Sequence, residues 1–591
     1  MVVWGLAMGI LASACGTAED DFAGQDQPSL GLRFVMQTDA GGCPISQKES
    51  SQSGYPENTL PTDLNGGALN FILYNQQGAK KVETRVVVQN SCEGQDVYTC
   101  MLPNAQNFLL FNVPTEQNMH LEVQGYNSLN QLAWSGHNYN VDVAEQETPE
   151  AEAPRVDVYM RRVNRLTYAF DCMETERVFH SATVLRDGTS ILIAGGASVL
   201  RTEACSPQEF GEVVPCDLLV ATKQVVLFDT TTGAFTNMAQ LDRKRAGHEA
   251  VLLADGRVLI MGGAEQLWVL HGNNGRGYIE ADLPLITEKA VIYNPDGRGH
   301  VDAVVNMNVR RMFFTVTPID TDPPYAKVFL MAGGWGDGGR LGSMEILSFD
   351  PESSASRVPE FRLLDIPLKA ARTAHTATRI SSGHVFLYGG AAPGEDPAEI
   401  FISEAAGIDL PTDFANYVTW PDLYHHDAVA LDGGRKVLVT GGLRKNLQGE
   451  RETFSDATNT AVLIDFGANK ATVFEQGLLS ARAFHKMAKM PDNRVIVFGG
   501  ANDTKLRNAV TALEIFNGDK FETLPDPGGN PLQIGIGRFG HSISVLRDFS
   551  VVLAGGAEPS PEADIPTQKT ILRSTEVFYP NPSDYPTATT E

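Results

Sequence analysis

The dipeptide Gly-Gly closes an apolar run of strand length seven times in this chain. The first glycines of the pairs are Gly195, Gly262, Gly333, Gly389, Gly441, Gly499 and Gly555. Each pair follows two strand-like runs, as in "GHEAVLLADGRVLIMGG", and precedes a variable insertion and further strand-like runs. One such unit cannot bury both faces of its sheet, so the units must pack on one another. The repeat therefore predicts seven units, or six, of four strands each, arranged in a ring that leaves only short, protected edges.

An Arg-x-x-His motif precedes most of the Gly pairs at a nearly constant distance. It occurs as Arg177/His180, Arg245/His248, Arg372/His375, Arg482/His485 and Arg538/His541, whereas unit three has Arg311/Phe314 and unit five has Leu423/His426. A catalytic His is needed once and among unlike neighbours, but this one recurs in equivalent places. The repetition therefore predicts a scaffold role, in which the ring nitrogens satisfy buried backbone groups near a central channel.

The Gly-Gly strand ends, the upstream Arg-x-x-His and downstream strands such as "VVLFD", "VIYNP" and "LEIFN" resemble kelch repeats. The resemblance covers most of the chain, and it implies a kelch-type β-propeller over residues 162–580. The kelch Trp of the fourth strand is mostly missing, and the intervals exceed the usual repeat of about 50 residues. The last unit lacks a fourth strand of its own, and "RLTYAF" at 165–170 is the candidate to supply it.

The region before the repeats has a different organisation. Residues 31–161 contain short apolar or alternating runs, including "LNFILYN", "TRVVVQN" and "MHLEVQGYN", which predict a small immunoglobulin-like β-sandwich. Residues 16–30 lack a hydrophobic pattern and are expected to form a flexible tether, and residues 581–591 a polar tail. The whole chain is thus expected to be all-β.

Residues 1–15 resemble a bacterial lipoprotein signal, in which an apolar segment ends in "ASAC" and the Cys carries the lipid. Cys15 is then a lipidated N-terminus and the only membrane attachment. The alternative is an ordinary secretory signal cut near Ala14. Both readings export the protein, and the first predicts an outer-membrane lipoprotein on the periplasmic or the cell-surface side.

Six further cysteines follow the signal segment, and export places them where disulfides form. Local pairs are the first expectation: Cys205 with Cys216 in one insertion, and Cys92 with Cys100 around a probable hairpin turn. The pairing of Cys43 and Cys172 stays open, because six cysteines allow 15 connectivities.

Several function classes lack support. The formal charge of −26 repels phosphate backbones, which argues against nucleic acid as a partner. No phosphate loop, nucleophile elbow or zinc motif occurs, and the residues of a copper radical oxidase resembling galactose oxidase cannot be placed. Adjacent His425 and His426 would point to opposite faces of a strand, so they are not expected to chelate one metal. No cofactor and no metal are predicted.

The insertions after the Gly pairs are the remaining candidates for function, because loops on a rigid scaffold commonly carry it. Three insertions mix aromatic, amide and basic groups suited to recognition. Their predicted binding residues are His271, Asn273, Arg276, Tyr278, Trp335, Asp337, Arg340, Arg444 and Lys445. The sequence favours a non-enzymatic protein that binds an envelope or extracellular protein or a glycan. The alternative is an exported carbohydrate-active enzyme with an active site in the propeller channel.

The lipid anchor can be tested directly. We expect Cys15→Ser to block lipid attachment, so that the protein no longer partitions into detergent and leaves the membrane fraction. Unchanged processing and membrane association of the variant would contradict the lipoprotein reading.

Overall fold

The structure is a computed structural model of the full chain. It describes residues 29–36, 60, 62–92, 100–102, 107–111, 113–143, 155–169, 171–205, 214–271, 277–280, 285–322, 325–336, 338–352, 357–405, 407–411, 414, 420–448, 451–502, 508–558 and 571–581. Within these ranges the chain is almost entirely β-strand and turn, with short 3-10 helices such as Thr62–Leu64 and Asp432–Gly434. The predicted all-β class is confirmed.

The chain divides into two compact units. The first comprises residues 1–170, 230–233 and 579–581, and the second comprises the remainder. The first unit contains one eight-stranded sheet. Its strands are β1 (Ser29–Met36), β2 (Ala68–Tyr74), β3 (Lys80–Val88), β4 (Cys100–Met101), β5 (Asn107–Phe111), β6 (Met119–Tyr126), β7 (Leu132–Val141) and β8 (Arg155–Arg162), in the order β4-β3-β2-β6-β7-β8-β1-β5.

This sheet curls so that its one apolar face encloses a core. The ring of Phe71 on β2 stacks on that of Phe108 on β5, with centroids 4.9 Å apart, although these strands are far apart in the sheet order. Phe34 on β1 joins them at 6.1 Å. The predicted small β-domain is therefore present, but as one continuous sheet folded over itself rather than as two separate sheets. Pairing of β1 with β8 and β5 makes it continuous, and the sequence pattern could not reveal this pairing.

Cys92 and Cys100 form a disulfide in the first unit, as predicted, with Cα atoms 5.7 Å apart. Cys172 is also disulfide-bonded. The side chains of Cys205 and Cys216 lie outside the described part of the chain, as does Cys43. In the backbone ladder Cys205 is opposite Val214, and Cys216 is opposite Glu203. The Cys205–Cys216 bridge stays a prediction.

The remaining blade-like sheets number seven, have four strands each and are termed blades 1 to 7; all their strands except Arg165–Tyr168 lie wholly or mostly in the second unit. The strands are given from the innermost outward. They are Ser181–Val184, Ser190–Ala194, Val225–Asp229 and Ala234–Asn237 in blade 1; Glu249–Leu252, Val258–Met261, Lys289–Asn294 and His300–Asn306 in blade 2; Thr315–Pro318, Val328–Ala332, Met344–Ser348 and Glu360–Leu363 in blade 3; Thr376–Arg379, Val385–Tyr388, Ala398–Ile402 and Gly407–Asp409 in blade 4; Asp427–Leu431, Lys436–Thr440, Ala461–Asp465 and Lys470–Phe474 in blade 5; Lys486–Lys489, Val495–Phe498, Glu514–Phe516 and Phe521–Thr523 in blade 6; and Ser542–Val545, Val551–Ala554, Thr575–Tyr579 and Arg165–Tyr168 in blade 7. The predicted use of residues 165–168 as the last outer strand is confirmed.

The blades form a closed ring. The innermost strand of each blade neighbours that of the next, and the innermost strand of blade 7 neighbours that of blade 1. Second strands are apolar and buried, for example Val385–Tyr388 and Val551–Ala554, because blades pack face to face. The second unit is therefore a seven-bladed, propeller-like ring, as predicted.

Several insertions add small sheets at the Gly-Gly ends of the blades. Strands Ala197–Cys205 and Val214–Ala221 from blade 1 pair with Gln266–His271 and Gly277–Glu280 from blade 2 in one four-stranded sheet. Two hairpins are inserted between the second and third strands of blades 3 and 5, formed by Trp335–Gly336 with Gly339–Arg340 and by Leu443–Gln448 with Arg451–Ala457. Within the described part of the chain, no helix is long and apolar enough to cross a membrane.

The Gly pairs connect neighbouring blades. The first glycine of every pair has a positive φ, and an added Cβ would lie within 2.7 Å of a carbonyl oxygen in the next blade. The second glycine donates its N–H to that same carbonyl, at 2.8 to 3.0 Å, seven times around the ring. Glycine is therefore needed for two reasons, a left-handed backbone and close contact between blades.

Gly499→Ala tests this role. The new Cβ would lie 2.6 Å from the Arg538 oxygen and would occupy a backbone with φ of +64°. We expect a loss of about 3 kcal/mol in the free energy of unfolding, because strain and steric overlap combine.

The matched control is Gly407→Ala, since Gly407 has no positive φ and the nearest atom to its added Cβ is 3.9 Å away. It should change stability by less than about 0.5 kcal/mol in chemical denaturation. Equal effects of the two variants would contradict the proposed contact.

Candidate functional site

The Arg of the Arg-x-x-His motif is a buried anchor rather than a reactive group. All six arginines at this position are fully buried. In each, Nη1 donates to the carbonyl of the first glycine in its own blade, at 2.7 to 3.0 Å; the pairs are Arg177–Gly195, Arg245–Gly262, Arg311–Gly333, Arg372–Gly389, Arg482–Gly499 and Arg538–Gly555. In these six blades the arginine therefore joins the start of the innermost strand to the end of the second strand by a hydrogen bond.

Four of these arginines also pair with a buried glutamate on the third strand. The pairs are Arg311–Glu345 at 2.9 Å, Arg372–Glu399 at 2.7 Å, Arg482–Glu514 and Arg538–Glu576. Each glutamate also accepts two backbone N–H groups just upstream of its arginine. Sequence reasoning missed this partner. The signal was an acidic residue inside each of the apolar runs "MEILS", "AEIFI", "LEIFN" and "TEVFY".

The remaining three blades have valine where these four have glutamate. In blade 5 the arginine is absent as well: Leu423 stands at its position and Val462 at that of the glutamate. Blade 5 therefore has no buried arginine charge that needs a counter-charge. In blade 2, Arg245 pairs instead with Asp242 at 3.0 Å. In blade 1, Arg177 lies near Val226 without a carboxylate partner in the described part of the chain.

In five blades the motif histidine links the blade to the preceding one. Nε2 lies 2.8 to 3.0 Å from a hydroxyl of that blade in five cases: His180–Ser542, His248–Ser181, His375–Thr315, His426–Thr376 and His485–Thr440. Burial lowers the pKa of His180, His375 and His426 to about 3, so these rings are neutral. The partner of Nε2 is a hydroxyl in these five cases, and the geometry favours a scaffold role. Phe314 occupies the same place in an apolar cluster.

The residue before each His (or Phe314) has a left-handed backbone, with φ between +48° and +63°. These residues are Phe179, Gly247, Phe313, Ala374, His425, Phe484 and Gly540. Each donates its N–H to the carbonyl of the equivalent residue in the preceding blade, at 2.9 to 3.4 Å. Seven hydrogen bonds thus form a closed circle around the channel axis, which we term the axial circle.

The side chains of the axial circle place aromatic rings at the Gly-Gly end of the channel. Phe179 and Phe313 meet edge to face with centroids 5.5 Å apart, and His425 stacks on Phe484 at 4.0 Å. Small residues separate the large ones, and an added Cβ on Gly247 would lie 2.9 Å from the Phe313 ring. This end of the channel is therefore narrowed by packed aromatic groups.

A polar ring lies two residues further along than the axial circle, where the inner strands begin. Its members are Ser181, Glu249, Thr315, Thr376, Asp427, Lys486 and Ser542. The Asp427 carboxylate accepts the Met487 N–H at 2.7 Å. Burial raises the pKa of Glu249 to about 7, and the Lys486 charge opposes this shift. The pKa of Asp427 is raised for the same reason. The sequence repeat gave no signal for the polar ring, because a repeat shows the residues that the blades share and the residues of this ring differ from blade to blade.

The structure describes only part of the predicted binding surface. Asn273, Arg276 and Asp337 lie outside the described residues. The backbones of His271, Tyr278 and Lys445 lie in strands, but their side chains are likewise outside the described part. Arg444 is directed to its own blade, where it donates to Thr460 at 2.9 Å and Glu475 at 3.2 Å.

Trp335 and Arg340 form a cluster with two residues that sequence reasoning missed. They are opposite each other in the blade 3 hairpin. The Arg340 guanidinium carbon is 6.0 Å from the centroid of the Tyr424 ring in blade 5. Asp422 completes the group: burial raises its pKa to about 7, and the charges of Arg372 and Arg340 oppose this shift. We call Trp335, Arg340, Asp422 and Tyr424 the face cluster.

The face cluster exists because the Gly-Gly ends bring distant loops together. Asp422 and Tyr424 flank Leu423, which replaces the motif arginine in blade 5. The departure of blade 5 from the repeat was the available signal. Within the described residues, no three His, Cys, Asp or Glu side chains are grouped as a metal site would require.

Comparison with known proteins gives no further guide to the site. The chain matches no protein-family model and no curated protein sequence. Conclusions about function therefore depend on the geometry of the ring and its face.

Substitution of the motif histidine tests its structural role. His485→Ala should lower the free energy of unfolding by about 1 to 3 kcal/mol, because the buried Thr440 hydroxyl loses its partner. His248→Ala, which frees Ser181, should behave alike in thermal melts. An unshifted melt with function lost in only one variant would contradict the scaffold interpretation.

Glu249 should make stability depend on pH. Its pKa is about 7 in the folded protein against an ordinary value of 4.5, so folding favours the protonated form. The contribution of Glu249 to the free energy of unfolding is therefore most favourable below about pH 4.5 and is lost as the pH rises through 7. We expect Glu249→Gln to melt higher than the wild type at pH 8, with the difference disappearing near pH 5. Glu360→Gln, at an exposed site, is the control and should show no such trend.

Proposed function

We propose that this protein is an exported binding protein that recognises an envelope or extracellular protein or a glycan through the Gly-Gly face of a kelch-type propeller. The observation that carries the proposal is the face cluster. Trp335, Arg340, Asp422 and Tyr424 place a half-buried aromatic ring, a half-buried cation and a protonatable carboxyl group within one small region, with the Tyr424 ring itself buried. Aromatic and arginine side chains of this kind dominate binding energy at recognition surfaces.

The way in which the fold holds the face cluster supports a role in recognition. The axial circle and the Arg–Gly hydrogen bonds fix the ends of the blades, so loops from blades 3 and 5 keep a constant separation. A preorganised site loses less entropy when a ligand binds. Aromatic faces and hydrogen-bonding groups suit both protein side chains and sugar rings, whereas the net charge of −26 disfavours nucleic acid.

We further propose that a lipid on Cys15 holds the protein at the outer membrane, with residues 16–30 as tether, facing the periplasm or the cell exterior. The Cys92–Cys100 disulfide suits an oxidising compartment of this kind. The first unit then lies between the anchor and the binding domain in sequence.

The proposal is tested by binding of the purified mature protein to a glycan array and to detergent-solubilised envelope proteins. Trp335→Ala and Arg340→Ala should each weaken a specific interaction of the folded protein at least about tenfold, equivalent to about 1.4 kcal/mol. Lys489→Ala is the control, since it is exposed at the opposite end of its inner strand. Binding that survives both face variants would contradict this site.

One observation favours an enzyme as the second candidate. A carboxyl group with a pKa of about 7, such as Asp422, can donate a proton at neutral pH, as carbohydrate-active enzymes require. Turnover on a glycan panel that falls above pH 7 and is abolished by Asp422→Asn, with binding retained, would establish this function in place of the first. Binding without turnover would support the non-enzymatic proposal.

A further inference from the structure

Arg177 differs from the other five buried motif arginines in the hydrogen bonding of one side-chain nitrogen, Nη2. In Arg245, Arg311, Arg372, Arg482 and Arg538, Nη2 donates to a carboxylate. In Arg177, Nη1 donates to the carbonyls of Gly195 and Gln224, but Nη2 has no acceptor among the described residues. The side chain is nevertheless fully buried.

The four blades with glutamate show what chemistry this position accepts. In blade 4, for example, one Glu399 oxygen binds Arg372 Nη2 at 2.7 Å and the backbone N–H of Ala370 at 2.9 Å, and the other binds the N–H of Lys369 at 2.7 Å. The same three donors surround Glu345, Glu514 and Glu576. The position is thus a repeated anion-binding arrangement of one guanidinium and two amides.

Blade 1 keeps the donors and lacks the acid. Val226 is the third-strand residue opposite Ile193, the place that Glu399 takes opposite Leu387. The matching amides are those of Glu174 and Thr175, and neither donates a hydrogen bond within the described part of the chain. The nearby Glu174 carboxylate accepts instead from Asn237 at 2.9 Å.

A buried guanidinium without a counter-charge is strongly unfavourable, because it loses hydration and gains no ion pair. Burial lowers the pKa of Arg177 only to about 10, so it stays charged at neutral pH. Blade 5 shows the alternative solution, in which the arginine and the acid are both replaced, by Leu423 and Val462. Blade 1 keeps the cation and therefore needs an anion from another source.

We propose that blade 1 binds a small monovalent anion of chloride size, held by Arg177 Nη2 and the amides of Glu174 and Thr175. The site lies where the ring closes, since the Arg177 N–H donates to Leu572 and its carbonyl accepts from Gly556 of blade 7. Bound anion therefore stabilises the closure between the first and last blades.

The test is thermal melting of the full mature chain while chloride replaces gluconate, a bulky organic anion, at constant ionic strength. The wild-type melting temperature should rise by about 2 °C for each tenfold increase in chloride above the dissociation constant. Val226→Glu supplies the missing acid and should melt higher and independently of chloride. Bromide should give an anomalous scattering peak beside Arg177 in crystals.

Val462→Glu is the matched control, because it places the same acid in blade 5 opposite Leu423, where no arginine is available. It should lower the melting temperature and keep the chloride dependence. A wild-type melt independent of chloride, or a dependence that persists in Val226→Glu, would overturn the proposal. A chloride-independent melt that drops in Glu174→Gln would also overturn it, and would assign the counter-charge to Glu174.

Discussion

The axial circle is the constraint on which the second unit depends. Seven equivalent residues, one per blade, give their N–H and carbonyl groups to each other around the axis, from Phe179 through Gly540 and back. Such a circle closes only if each residue adopts a left-handed backbone, which costs a residue such as Phe313 roughly 1 to 2 kcal/mol. The surrounding contacts must offset this cost in every blade.

The buried arginines and Gly pairs provide those contacts. Each arginine binds a glycine carbonyl in its own blade through its side chain, and its own carbonyl accepts from a glycine of the preceding blade. Its charge must then be compensated. The chain solves this problem in four ways: a strand glutamate such as Glu399, the loop carboxylate Asp242, loss of the charge at Leu423, and in blade 1 the anion that we propose at Arg177.

The rigidity of this end suits the recognition role that we propose. Phe179, Phe313, His425 and Phe484 narrow the channel here with two aromatic pairs. The polar ring with Glu249 and Lys486 lies beyond these aromatic groups. Blade 5 contributes two of the four residues of the face cluster, Asp422 and Tyr424, which lie on either side of the Leu423 that replaces its arginine.

The sequence by itself determined the features that repeat. Seven Gly pairs predicted seven four-stranded blades and an outer strand from residues 165–168, because a period shows itself without knowledge of contacts. Tertiary structure alone decided what differs between blades. The pairing of Arg372 with Glu399 links residues on different strands, and the approach of Arg340 to Tyr424 links different blades. The joining of the N-terminal strands into one curled sheet likewise depends on long-range pairing, such as β1 with β8. Periodicity fixes which residues are equivalent, whereas contacts between non-equivalent residues arise only when the chain closes on itself.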